Sequence, residues 1–221
     1  MKNLHRYIEH TNLNPTITGA EVDQLVMEAK EVDCIGVCVP PFWVKRARRE
    51  IGDSALQLVT VIGFPLGYNM TEVKLEEMEL AIRDGADELD LVLNVSAFKD
   101  GMNWPKIEIA KCSKLAHEYY KIIKVIIETA HLNPEEIKQL CALCADAGVD
   151  FVKTSTGFAS AGAQANDIRL MRGSLPSNVG IKASGGIKTL EQAIEMIMAG
   201  ADRIGTSSGV RIIKQSNDTS L

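Results

Sequence analysis

The sequence predicts an α/β protein folded as a (β/α)8 TIM barrel with a short N-terminal extension, and three observations carry that prediction. Short β-branched runs alternate with amphipathic helical patterns from end to end, eight of each. Strict alternation implies a parallel sheet with right-handed crossovers. The length, 221 residues, suits one such barrel. A Gly-x-Asp signature recurs at Gly85-Ala86-Asp87, Gly148-Val149-Asp150 and Gly200-Ala201-Asp202, at intervals of 63 and 52 residues. Each interval holds two β/α units, although a doubly wound open sheet would space them similarly. No linker, low-complexity stretch or break in composition interrupts the chain, so residues 1–221 are expected to form a single domain.

The strands are placed in order at Tyr7–His10, Ile35–Val39, Gln57–Gly63, Glu88–Asn94, Ile122–Glu128, Phe151–Ser155, Gly180–Ala183 and Arg203–Thr206. Between them the helical pattern runs over Thr18–Val32, Pro41–Ile51, Thr71–Asp84, Trp104–Tyr119, Pro134–Ala147, Ala165–Leu175 and Leu190–Ala199, with a last helix from Gly209. Asn133-Pro134-Glu135-Glu136 reads as a cap residue, a proline in the first turn and carboxylates at the positive end of the dipole. Thr189 with Gln192 reads as a capping box. In each Gly-x-Asp segment the glycine suits a left-handed helix cap.

Composition narrows the function. A net charge of −5 argues against a nucleic-acid or anionic-membrane partner, which would want a basic face. No stretch approaches 18 uninterrupted apolar residues, and the first residues lack the apolar run of a signal peptide. Of the five cysteines, Cys141 and Cys144 have C-x-x-C spacing but lie inside a helix, and no second ligand pair accompanies them. They read, with Cys34, Cys38 and Cys112, as core thiols of a cytoplasmic protein. His5, His10, His117 and His131 are too scattered for a metal site, and Trp43 and Trp104 fall at helix beginnings as packing residues. Glu72, Glu76 and Glu79 read as a solvated helix face.

Lysines occupy strands where lysine is rare. Lys153 lies in Phe151-Val152-Lys153-Thr154, Lys182 in Gly180-Ile181-Lys182-Ala183 and Lys124 in Ile122-Ile123-Lys124-Val125-Ile126. Each is either half of a structural ion pair or part of a site. Lys153 and Lys182 fall near strand C-terminal ends, where a barrel builds its active site; for Lys124 both readings stand. At an ordinary pKa of about 10.4, only about one lysine in 10³ is neutral at pH 7, and a drop of about three units makes half of them nucleophilic. Burial and a neighbouring cation both push that way. Asp90, in Glu88-Leu89-Asp90-Leu91-Val92-Leu93, is an aspartate in an apolar strand and a natural partner for such lysines.

Two loops offer a cradle for phosphate. Ser184-Gly185-Gly186-Ile187 follows the seventh strand and Gly205-Thr206-Ser207-Ser208-Gly209 the eighth, each leading into a helix. Small residues let N–H groups approach an anion at a helix N-terminus, and barrels often bind phosphate between these two loops. Thr154-Ser155-Thr156-Gly157, after Lys153, would add hydroxyl donors.

These segments resemble the deoxyribose-phosphate aldolases, which are class I aldolases. Phe151-Val152-Lys153-Thr154-Ser155-Thr156-Gly157-Phe158 is similar to that family's Schiff-base segment, and Ile181-Lys182-Ala183-Ser184-Gly185-Gly186-Ile187 to its second-lysine and phosphate segment. Glu88 to Asn94 is similar to the aspartate strand, Val37-Cys38-Val39-Pro40 to an early cysteine strand and Ile8-Glu9-His10-Thr11 to the opening motif. The likeness runs from about Tyr7 to Val210. It implies reversible cleavage of 2-deoxy-D-ribose 5-phosphate to D-glyceraldehyde 3-phosphate and acetaldehyde, without metal or other cofactor. Lys153 would form the imine, and Lys182 and Asp90 would tune it and move protons. Glu9, Thr11, Cys38, Lys124, Thr154, Thr156, Gly157, Gly185, Gly186, Ser207 and Ser208 would hold substrate. The implied partners are a small phosphorylated sugar and further copies of the chain, as a dimer or tetramer.

The chain departs from the family pattern in three places. Glu9 stands where the motif usually has Asp, Asn14 where many members have Lys, and no tyrosine follows Tyr120, although some members end in one that assists proton transfer. Two readings compete with the aldolase. Another enzyme on the same scaffold, a phosphosugar isomerase or a different class I aldolase, shares the phosphate loops but gives no reason for paired lysines on strands 6 and 7. A phosphometabolite-binding protein without turnover predicts damage to Lys153, Lys182 or Asp90, and all three are intact. Fold alone licenses none of these readings.

Overall fold

The computed structural model describes residues 3–218. Eight parallel strands close into a barrel, β1 (Ile8–Thr11), β2 (Gly36–Val39), β3 (Gln57–Ile62), β4 (Glu88–Val92), β5 (Ile122–Ile126), β6 (Phe151–Lys153), β7 (Gly180–Ser184) and β8 (Arg203–Thr206), each pairing with the next in sequence. Closure comes where β1 pairs with β8, with Glu9 opposite Gly205. The open-sheet alternative is thereby set aside. The helices around the barrel are α1 (Gly19–Glu31), α2 (Val44–Ile51), α3 (Thr71–Arg83), α4 (Val95–Lys99), α5 (Trp104–Glu118), α6 (Pro134–Asp146), α7 (Ala165–Ser174), α8 (Leu190–Ala199) and α9 (Gly209–Asp218). The tyrosine-free terminus from Thr219 lies outside the described residues.

Local chemistry explains where elements start and stop. Asn133 and Thr189 both form the predicted capping boxes, with Glu136 and Gln192. Thr18 forms a third, with Glu21. Strands β2 to β6 are shorter than expected, β1 lies one residue later, β7 runs one residue longer and β8 is as expected. Tyr7 belongs to a 3-10 turn, Leu4–Tyr7, that forms the short extension before β1. β6 ends at Lys153 because the Ser184 N–H donates to the Thr154 hydroxyl, which takes the place of a ladder partner. Pro41–Ile51 divides into a 3-10 turn, Pro41–Trp43, and α2. Helix α4 was not expected; five residues show little periodicity, and its signal is the Asn94 side chain accepting from the Ala97 N–H.

The Gly-x-Asp repeat is a device for the barrel's lower rim. Gly85, Gly148 and Gly200 all have positive φ, as the turn out of a helix requires. The aspartates then reach sideways: Asp87 accepts from the Leu58 N–H, Asp150 from Ile123 and Asp202 from Ile181, at 2.8–2.9 Å. Each thus fastens an even-numbered strand to the odd-numbered strand before it. Asp33, also at positive φ, stands at the same point before β2.

Alternation along the strands sorts side chains to two faces. The large apolar cluster, including Ile8, Val37, Leu58, Leu89, Val125, Val152, Ile181 and Ile204, lies between sheet and helices. A small one, Cys38, Val59 and Val61 with Leu13 and Phe64, lies within the barrel. Much of the remaining interior is charged. Among the described residues no helix is long and apolar enough to cross a membrane.

Candidate active site

Four neighbouring strands bring the predicted chemistry together. Lys153 on β6 is in register with Lys182 on β7, and Asp90 on β4 with Lys124 on β5. All four side chains point into the barrel and are almost wholly buried. A single oxygen, Asp90 Oδ2, accepts from Lys153 Nζ at 2.7 Å and from Lys182 Nζ at 2.6 Å. The other, Oδ1, accepts from Lys124 Nζ at 3.0 Å. Lys182 also donates to Glu9 Oε2, and Lys124 lies 2.5 Å from Glu88 Oε2.

Electrostatics separates the three amines. Burial pushes the Lys153 ammonium down; Asp90 opposes that shift and the Lys182 cation adds to it, so the group ends below its ordinary value. Burial, rather than the neighbouring cation, is therefore the leading cause. Burial also pushes Lys182 down, but Asp90 and Glu9 outweigh it and leave this lysine raised. Lys124 is raised for the same reason, by Asp90, Glu9 and Glu88. Burial would raise Asp90, yet the three lysines hold it well below the usual carboxylate range. Burial pushes the Cys38 thiol up to about 11, which keeps it protonated and poorly nucleophilic.

Above Lys153 opens a cavity of about 370 Å3. One wall is Ser184 to Lys188 with Gly205, Thr206 and Ser207; the others are Thr156-Gly157-Phe158 and Thr11 to Asn14. Gly157, Gly185 and Gly186 have positive φ. A Cβ on Gly162 would sit 2.1 Å from the Gly185 carbonyl oxygen, so backbone packs directly on backbone beside the phosphate loop. This wall ends at the N-termini of α8 and α9, which favour an anion.

Of the residues expected to hold substrate, Thr11, Thr156, Gly157, Gly185, Gly186 and Ser207 line this cavity. Five stand off it. Glu9 is buried against Lys182, its extra methylene spent on that contact rather than on a substrate hydroxyl. Lys124 is sealed among carboxylates below. Cys38 packs with Val59 and Val61. Thr154 points out of the barrel and donates to the Ser184 carbonyl. Ser208 borders a depression on the outer side beside Glu28 and Lys214. Thr156 also differs from expectation: its one hydroxyl proton goes to Glu128 Oε2, so toward a ligand it can only accept.

Sequence reasoning passed over several groups here. Lys188 is an exposed cation at the phosphate end, detectable as a lysine just before the Thr189 cap. Asn14 lines the cavity where a lysine was noted as missing. Glu128 has left-handed backbone, φ 53°, and its buried carboxylate clasps both the N–H and the hydroxyl of Thr156. Neither its conformation nor its partner is marked in the sequence. Among the described residues no His, Cys, Asp and Glu group is arranged to hold a metal.

Comparison with known proteins shows the family of the chain. The sequence profile of the DeoC/LacD family aldolases matches residues 4–215. A deoxyribose-phosphate aldolase of Thermococcus kodakarensis is 48% identical over 220 residues, covering 98% of each chain. One of Brevibacillus brevis is 47% identical over 218 residues, again covering 98% of each. The solved deoxyribose-phosphate aldolase of Aeropyrum pernix, described as a tetramer, superposes with a TM-score of 0.91 at 33% identity, covering 98% of this chain and 92% of that one. A lysine-bearing barrel floor under a glycine-rich wall thus stands in a chain that belongs to the DeoC/LacD aldolase family.

Proposed function

We propose that the protein cleaves 2-deoxy-D-ribose 5-phosphate reversibly to D-glyceraldehyde 3-phosphate and acetaldehyde through a Schiff base on Lys153. The observation that carries this reading is the Lys153 amine, buried at the cavity floor and sharing one Asp90 oxygen with Lys182. Its lone pair attacks the aldehyde carbon C1, and the carbonyl oxygen leaves as water to give the iminium. The iminium draws in the C2–C3 bonding electrons as the C3 hydroxyl gives up its proton, releasing glyceraldehyde 3-phosphate. The enamine left behind takes a proton at C2, and water then frees acetaldehyde and regenerates the amine. Asp90 lies within hydrogen-bond reach of the amine and also holds Lys182, and the two would move these protons.

The phosphate would lie against Gly157, Gly185, Gly186 and Ser207, with Lys188 supplying the positive charge. Residues 1–221 would act as one catalytic domain, and the subunits would assemble as a dimer or tetramer, as the Aeropyrum pernix relative assembles as a tetramer. Five free, buried thiols suit a reducing cytoplasm. The test is borohydride reduction in the presence of the sugar phosphate, followed by mapping of the modified peptide. Label on Lys153 that disappears in Lys153→Leu, together with a turnover loss on the order of 10^4-fold or more, is the expected result. Full activity in Lys153→Leu would refute the reading. An isomerase working through carboxylates would leave no adduct.

A further inference from the structure

The inward-facing side chains of the eight strands can be sorted by charge. Among the described residues the cations are Lys124, Lys153 and Lys182, with Arg203 on β8, whose buried Nε lies 3.9 Å from Glu9 Oε1. The anions are Glu9, Glu88 and Asp90. Strand β2 contributes only the Cys38 thiol, and β3 only Gln57, Val59 and Val61. Glu128 lies beyond the strand ends, held by Thr156 and without an ion pair among the described residues. Lys188 is exposed at the rim. Three fully buried lysines therefore face three carboxylates, together with Arg203, whose buried Nε turns toward Glu9 while its side chain stays 18% exposed and its Nη1 donates to the Arg6 carbonyl. A buried charge without a partner costs several kcal/mol, so such a cluster is most stable when one cation gives up its proton.

Geometry says which one. Lys124 has three carboxylates within ion-pair distance, Glu9, Glu88 and Asp90. Lys182 has two, Glu9 and Asp90. Arginine does not deprotonate in proteins. Lys153 has one carboxylate, and shares the oxygen it uses with Lys182. It is also the lysine of the three that lines the cavity, where substrate arrives.

We infer that the barrel interior is built with one cation too many, and that Glu88 and Arg203, which do not reach the cavity, are positioning residues whose charges set how readily Lys153 gives up its proton. This deepens the aldolase reading and rests on it. Glu88 acts from the lower end of β4, through Lys124. Arg203 acts from the lower end of β8, through Glu9. The two touch different partners, so a role in local packing predicts that damage from their loss adds, whereas a role in charge balance predicts that it cancels.

The experiment follows reductive alkylation of Lys153 in the full chain by acetaldehyde, which carries no titrating group, with cyanoborohydride across pH 5 to 10 and peptide mapping of the product. The wild-type rate rises through a midpoint as Lys153 loses its proton. Glu88→Gln leaves the interior more positive and should lower that midpoint by about one pH unit; Arg203→Gln leaves it more negative and should raise the midpoint by a similar amount. That is the size expected of one elementary charge acting across the barrel at an effective dielectric of about 20. The double variant Glu88→Gln/Arg203→Gln should return to within about 0.3 units of wild type, because the two shifts oppose each other. If Arg203→Gln does not fold, Glu88→Gln/Lys124→Met removes a bonded pair, keeps the balance and should also leave the midpoint in place. Single-variant midpoints that stay put, or move in the same direction, overturn the charge balance. Absence of any label on wild-type Lys153 overturns the aldolase reading instead.

Discussion

Two lysines in this chain, both almost wholly buried, meet carboxylates at the same distance, 2.7 Å, and are put to different use. Lys74, on α3, donates to Glu108 on α5 and to the Val92 carbonyl at the end of β4. The other oxygen of Glu108 takes the Thr71 hydroxyl, and that hydroxyl accepts from Trp104 Nε1. The Lys74 side chain is fully buried and closely packed: a Cβ on Gly63 would already lie 2.8 Å from its Cε. Lys153 instead shares its carboxylate oxygen with a second lysine and has the cavity on its open side. Burial alone does not make a lysine reactive. A buried amine becomes a nucleophile when its counter-charge is divided among competitors and a carbonyl can reach it.

The largest effect that separates the two sites should appear in stability. Lys74→Met leaves Glu108 as an uncompensated buried charge and should cost about 3–5 kcal/mol in urea unfolding, while kcat/KM of the folded enzyme stays within about twofold of wild type. Lys74→Met/Glu108→Leu should recover most of that loss, since an apolar pair of similar volume replaces an ion pair well. If Lys74→Met instead removed activity without loss of stability, the contrast between a structural and a chemical lysine would fail.

Lys182→Leu should act in the opposite sense. Stability should change little by comparison, but turnover should fall by roughly 10^2- to 10^3-fold through loss of a proton-transfer group. The acid limb of kcat/KM should also move to higher pH. The sign follows from charge: Lys182 is held protonated by Asp90 and Glu9, and its cation helps to push the Lys153 value down, so its removal lets Lys153 keep its proton to higher pH. An acid limb that moved to lower pH would contradict this.

The smallest effect is expected at Glu128, which touches the cavity only through Thr156. Glu128→Gln keeps the shape and one acceptor oxygen, the number that the two Thr156 contacts share, yet it lacks the charge that strengthens both, so the loop after β6 is held less firmly. An increase of about tenfold in KM for the sugar phosphate, with kcat nearly unchanged, is the expected steady-state result. A loss confined to kcat would place Glu128 closer to the chemistry than its contacts suggest.

Some of this was legible in the residues and some was not, for physical reasons. Lys153, Lys182 and Asp90 stood out because ionisable side chains in β-branched strands violate the rule that sheet interiors are apolar. Lys74 did not, because a lysine in an amphipathic helix looks the same whether it faces solvent or a neighbouring helix. Glu72, Glu76 and Glu79, on the same helix, are exposed as their pattern suggests. Thr154 and Thr156 looked alike as loop hydroxyls, but one turns outward to Ser184 and the other lines the cavity with its proton already committed to Glu128. Glu88 and Arg203 lay at strand ends, where charged residues are common, and revealed nothing of their inward direction.

What the chain determined by itself was the alternation of eight strands and eight of the nine helices among the described residues, the caps that begin α6 and α8, and the strand positions of the lysines and aspartate that mark the site. These depend on periodicity and near-neighbour chemistry, which a linear string preserves. Closure between β1 and β8, the sharing of one Asp90 oxygen by two amines, and the sum of charge inside the barrel depend on residues far apart in sequence; Lys182 and Glu9 are separated by 173 positions. Such relations exist only once the backbone has brought the strands to one axis, because Coulomb and hydrogen-bond energies depend on distance in space.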